Sequence, residues 1–156
     1  MELMKTKMTE MGVAPLIAGP SFVYLAAAIV LHYVFFPLFA FTANPGIALR
    51  VIGAVLIAFG LAMLLSSGLR ILKAFREERL LTDGFFAVFP NPMYAAFILL
   101  IVPGLALLLD SWLVLTASAV VYGLFRAFIR GEDRWLREKF GPEYEKYQRR
   151  VLVKFF

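Results

Sequence analysis

Four stretches of this chain carry no charged residue, and they decide what it can fold into. They run from Met11 to Leu49, Val51 to Leu69, Gly84 to Leu109 and Ser111 to Phe125. About 20 predominantly apolar residues take an α-helix across a hydrocarbon core of about 30 Å. Lipid offers no partner for backbone N–H and C=O groups, so runs of this kind cross as helices that satisfy themselves. The first run is longer than a span and holds Pro15, Pro20 and Pro37, so only part of it crosses. The fourth is long enough when it continues past Arg126 to Ile129, with the Arg126 stem reaching for the interface.

The expected fold is all-α, a polytopic membrane protein of about four transmembrane helices followed by amphipathic C-terminal helices. Spans are predicted over 21–39, 47–67, 93–109 and 112–129, with 130–156 as a tail, in a single membrane domain over 1–156. Residues 1–13 read as a short surface turn, and Asn44-Pro45-Gly46 and Asp110-Ser111 as turns on the outer side. Gly53, Ala54, Ala58, Gly60 and Ala62 give span two a small-residue face that suits close helix packing. Residues 69–83 alternate apolar and charged side chains, as an interfacial helix extension does. Phe85 to Pro92 is too apolar for a solvated loop and is expected under protein cover or at a cavity wall. Pro103-Gly104 is a candidate kink. Gly141-Pro142 is expected to break the tail helix and start another.

The net charge of +5 would suit nucleic acid, but its distribution argues for a membrane surface and no nucleic-acid partner. Basic residues gather before span one (Lys5, Lys7), between spans two and three (Arg70, Lys73, Arg76, Arg79) and from Arg126 to Lys154. Arg50 stands alone between spans one and two. Four spans put the three clusters on one face, and the positive-inside rule then puts both termini in the cytoplasm. The N-terminus lacks the signature of a cleaved signal peptide, so the first span is expected to do the targeting. Cysteine is absent and His32 is the only histidine, which argues against a transition-metal site and excludes thiolate chemistry.

Two polar blocks carry chemistry. The first is Leu81-Thr82-Asp83-Gly84-Phe85-Phe86 followed by Asn91-Pro92-Met93-Tyr94, which by itself reads as a turn and a proline-initiated helix. The second is Glu132-Asp133 with Leu136, Phe140-Gly141, Tyr144, Tyr147 and Val151, which by itself reads as an amphipathic helix on the headgroups. Together they resemble the integral-membrane methyltransferases that include isoprenylcysteine carboxyl methyltransferases and phospholipid N-methyltransferases. The resemblance covers Leu80 to Val151. It departs at Pro90, where the family usually has Arg, at Phe85, where Pro is usual, and at Asp133, where a Glu is usual.

The resemblance implies binding of S-adenosylmethionine in a pocket made by the last spans and the tail, with substrate entering from the lipid side. Glu132 is then the carboxylate for the cofactor's amino group and ribose hydroxyls. Asn91, Tyr94 and Arg134 are candidates for its carboxylate end, with Pro92 in the same motif. Phe140, Tyr144 and Tyr147 offer an adenine wall. No G-x-G-x-x-G run is present to suggest a soluble nucleotide fold. Arg126 and Arg130, four apart and on one face, either anchor headgroup phosphates or grip an anionic substrate or cofactor. His32 is expected to be neutral and hydrogen-bonded to a neighbouring helix, Asp110 to be a turn residue, and Tyr33, Phe35, Phe36 and Trp112 to face lipid or the interface.

The expected activity is therefore methyl transfer from S-adenosylmethionine to a lipidic or small hydrophobic acceptor, with membrane lipids as surroundings. Few strong bases are available, which favours an acceptor already nucleophilic when bound, or Glu132 acting through water. Two other readings stay open: a non-catalytic four-helix protein that binds a lipid or partner, and a relative of nicotinamide-dependent membrane reductases. The acceptor atom and the oligomeric state are not readable from the residues.

Overall fold

The computed structural model describes residues 13–42 and 46–154. The surface turn expected before Val13 and the Asn44-Pro45 turn lie outside them. Among the described residues the regular structure is helical, with one isolated antiparallel bridge between Ala40 and Ser111. The chain makes three helices long and apolar enough to cross a membrane, and a shorter apolar helical pass of 17 residues over Pro92–Leu108. It is an all-α polytopic membrane protein. The exposed side chains agree, since Val23, Val30, Val51, Val55, Phe59 and Leu65 turn bare apolar surface outward.

Helix α1 spans Ala14–Val34. It starts seven residues before the expected 21 because Pro15 sits in the first turn, where its missing N–H is not needed. Pro20 is tolerated inside, and one residue later Ser21 Oγ donates to the Ile17 carbonyl at 2.6 Å. The helix stops at Val34, and the residues expected to finish span one instead form turns that close the end away from the tail. There Trp112 N–H donates to the Phe39 carbonyl at 3.0 Å and Thr42 Oγ1 to the Asp110 carboxylate at 3.2 Å. Asp110 is buried with φ of 52°, so it is a turn residue as expected.

Helix α2 spans Ile47–Arg76, 30 residues or about 45 Å, so its last turns run beyond the hydrocarbon as the amphipathic 69–76 pattern suggests. Glu78, with φ of 51°, caps it, and Arg79 N–H donates back to Ala74 O at 3.0 Å. The short helix α3 (Phe85–Val88) follows. The third pass is α4 (Pro92–Ala96), a π-helical turn (Phe97–Ile101) and α5 (Val102–Leu108). The π turn answers the proline. In its register the Ile98 carbonyl would look to the N–H of residue 103, which Pro103 lacks, and Ser118 Oγ donates to it instead at 2.9 Å.

Helix α6 spans Trp112–Arg150 and bends at Gly141, whose φ of 49° and ψ of −124° break the helix before Pro142. Its first part is the fourth pass and its second part is the tail. The packing order is α2, then the third pass, then α6, then α1. Gly53 and Gly104 bring the α2 and α5 backbones together, for a Cβ on Gly104 would lie 2.7 Å from the Gly53 carbonyl. The expected small-residue face of α2 is thus used against the third pass. Leu25 and Ala28 of α1 pack on Val114 and Ala117 of α6. His32 is buried against the ring edges of Tyr33 and Phe36, and its Nδ1 has no hydrogen-bond partner among the described residues. The expected bond to a neighbouring helix is not made at Nδ1.

Candidate active site

The tail folds back over the third and fourth passes. Three hydrogen bonds fasten it to the α3 turn. Tyr147 Oη donates to the Phe86 carbonyl at 2.8 Å, and the N–H groups of Leu152 and Val153 donate to Ala87 O at 3.4 Å and Val88 O at 2.9 Å. The bend at Gly141 makes this return possible, since a straight α6 would carry Tyr144 away from the membrane. On the inner face, Tyr144 Oη donates to Asp133 at 2.8 Å and accepts from Gln148 Nε2 at 3.0 Å. Burial pushes both the Tyr144 and Tyr147 phenols up, so each stays a neutral donor. Tyr144, Tyr147 and Val151 form a small core with Leu80, Leu136 and Phe140.

Beneath this roof lies a cavity of about 700 Å³. Its polar side chains include Asn91, Tyr94, Glu132 and Lys139, and its aromatic ones Trp135, Phe140, Tyr144 and Tyr147. The rest is apolar, from the start of α1 (Pro15, Ala18, Phe22) to the end of α2 (Leu64, Gly68, Leu72). Helices α1 and α2 are not major packing partners, so the apolar part lies in a cleft between them. Phe22 and Leu72, both on the cavity wall, are themselves exposed on the outside of the helices.

Glu132 sits where α1 begins. Burial pushes its carboxyl above the usual range and neighbouring Asp133 adds to this, while a backbone hydrogen bond from Val13 opposes them. A carboxylate held at a helix start, short of full solvation, is well suited to a cationic ligand. Asn91 is the N-cap of α4, but its side chain makes no capping bond and stands on the cavity wall. Pro92 begins α4 and is buried there. Tyr94 packs on Phe125, ring centroids 4.9 Å apart.

The loop before α3 is held from below. The Arg70 guanidinium pairs with the Asp83 carboxylate and donates to the Asp83 carbonyl at 3.1 Å, which keeps the Asp83 carboxyl below its usual range. Gly84, with φ of 62°, lets the Arg70 guanidinium lie against it, in space that a Cβ would take. The two polar blocks, forty residues apart in sequence, thus meet at one cavity.

A family model described as phospholipid methyltransferase matches residues 41–143. The chain belongs to the phospholipid methyltransferase family. It is also similar to the protein-S-isoprenylcysteine O-methyltransferase B of Arabidopsis thaliana, 26% identical over 110 residues, covering 69% of this chain and 56% of that protein. The chain therefore spans little more than half the length of that relative. No solved structure matches it. The phospholipid methyltransferase match takes in α2 to the first part of α6, and leaves α1, Tyr144 and Tyr147 outside it.

Seven residues singled out in the sequence line this cavity: Asn91, Pro92, Tyr94, Glu132, Phe140, Tyr144 and Tyr147. Arg126, Arg130 and Arg134 do not line it, and all three are exposed. The helical period explains this, because Val121, Phe125, Ile129 and Glu132 hold the inward face of α6 and the arginines stand round from it. Pro90, the departure from the usual Arg, does reach the wall. Sequence reasoning missed the contribution of α1 and the cavity residues Glu78, Arg79, Trp135 and Lys139. A signal for two of them was present: Glu132, Trp135, Leu136 and Lys139 follow the i, i+3, i+4, i+7 spacing of one helix face.

Proposed function

We propose that this protein is a membrane methyltransferase that uses S-adenosylmethionine and acts on a lipidic or membrane-partitioned small acceptor. One observation carries the reading: both family motif blocks line a single cavity that is polar and aromatic under the tail and apolar between α1 and α2. A volume of about 700 Å³ lies within the range of about 300–1,000 Å³ usual for small-ligand sites. The residues present also fit a sulfonium amino acid. Glu132 offers the ammonium and ribose hydroxyls a carboxylate, Asn91 and Tyr94 offer donors, and Trp135, Phe140, Tyr144 and Tyr147 offer aromatic faces for adenine and sulfonium.

S-adenosylmethionine, when bound, supplies an activated methyl on sulfur. The chain's own contribution is orientation, since displacement in line needs the acceptor atom held near and opposite the leaving sulfur. The tail keeps water from that region, and the cleft between α1 and α2 gives an apolar acceptor a path from the bilayer. Among the described residues the carboxylates on the cavity wall are Glu132 and the exposed Glu78, and neither is a strong base, which favours an acceptor that arrives nucleophilic. The tail side is cytoplasmic on this reading, because the basic residues of 70–79 and of the tail gather at that end and Arg50 stands alone at the other.

The test is calorimetry on the purified protein in detergent. Binding of S-adenosylmethionine or S-adenosylhomocysteine, weakened roughly tenfold or more in Glu132→Ala, is the expected result. Pro90 on the cavity wall favours one competing reading, a lipid-binding relative without cofactor; binding of neither adenosyl compound would select it. Tight NADPH binding would select a reductase.

A further inference from the structure

We propose that Lys139 holds the carboxylate of the methyl donor's amino-acid end, and that Glu78 stands in for that carboxylate until the donor binds. The inference rests on the reading above and adds a residue that no motif supplies. The described cavity wall carries two cations, Arg79 and Lys139, and two carboxylates, Glu78 and Glu132. Arg79 is the poorer candidate: its side chain is 59% exposed. Lys139 is 28% exposed at the side chain, and its ammonium stands 5.1 Å from the Trp135 ring centre and 5.6 Å from that of Phe140. Those rings help fix the ammonium at the aromatic wall.

Lys139 lies seven residues after Glu132 on the same helix, two turns or about 10.5 Å along one face. Trp135 and Leu136 fill the space between, and all four line the cavity. The face thus presents an anion at one end and a cation at the other. A donor that carries a cationic centre and a terminal carboxylate matches that polarity in one orientation. On the α3–α4 side Pro90 offers neither charge nor N–H, and Asn91 and Tyr94 offer neutral donors only, so the described cations that could meet a carboxylate are on the other walls.

Glu78 already shows what Lys139 receives. Its Oε1 lies 3.8 Å from Lys139 Nζ, and its side chain is 79% exposed. A contact that long and that wet contributes little net stability, so a better-placed carboxylate can displace it. Glu78 caps α2 in a left-handed conformation, which holds its side chain at the cavity edge.

The experiment is calorimetry on the full chain in detergent with S-adenosylmethionine and its decarboxylated analogue, which lacks only the carboxylate. Lys139→Met is expected to weaken S-adenosylmethionine roughly ten- to hundredfold and leave the analogue unchanged. Lys139→Arg keeps the charge and is expected to retain most of the affinity. Glu78→Gln removes one carboxylate that competes for Lys139, so S-adenosylmethionine binds more tightly and the analogue does not. Equal losses for both ligands in Lys139→Met would show a merely structural lysine and overturn the assignment, as would no loss for either. If the unaltered protein binds neither ligand, the methyltransferase reading fails and this assignment falls with it. Binding that ignores Lys139→Met sinks the assignment alone.

Discussion

Glu132 is the residue whose ionisation controls the polar end of the cavity. Its pKa is raised, so at a pH just above the ordinary carboxylate range a part of it is still protonated. A cationic donor binds the ionised form, and its affinity should therefore rise with pH through the Glu132 titration and then level off. Calorimetry across that range checks this, and Glu132→Gln should flatten the profile as well as lower it. The sign would reverse if the donor bound the neutral acid. Tyr147 makes a second prediction at this scale. Its hydroxyl bond to the Phe86 carbonyl fastens the roof to the α3 turn, and Tyr147→Phe removes that bond and leaves a buried acceptor bare. A loss of about 1–3 kcal/mol in the unfolding free energy in detergent is expected, with weaker donor binding alongside it.

Among the elements, the third pass is the most constrained. Its π turn, Pro103 and the Ser118 hydroxyl form one arrangement, so Ser118→Ala should orphan the Ile98 carbonyl and cost about 1–3 kcal/mol in the same unfolding assay. The Gly53–Gly104 approach is equally unforgiving. Gly104→Ala would press a Cβ on the Gly53 carbonyl, and about 1–3 kcal/mol of destabilisation should follow as α2 and α5 part. Much of this was readable in advance. The uncharged runs mark the passes, the small residues mark the tight face of α2, and Gly141-Pro142 marks the bend. Taking proline as a stop puts the start of α1 too late, because at a first turn proline is neutral and inside an apolar helix it is tolerated. The π turn left no mark in composition, since it is a matter of hydrogen-bond register. At the cavity, motif spacing found the residues on α4 and the tail. It could not find α1, whose placement comes from how separate helices lean together, and it passes over Lys139, which only the helix-face spacing from Glu132 marks.

For the whole molecule, the basic residues from Arg70 to Arg79 and the tail lie at one end and the Asp110 turn at the other. A reporter fused after Phe156 should read cytoplasmic, and one placed beside Arg50 should read on the opposite side; the reverse pattern would invert the proposed orientation. The gap between α1 and α2 has a kinetic meaning of its own. An acceptor that enters through it is never a solute in the buffer but a minor constituent of a two-dimensional fluid. Turnover should then follow the acceptor's mole fraction among the surrounding lipids: blending in inert phospholipid should slow it, and adding buffer to the same vesicles should leave it unchanged.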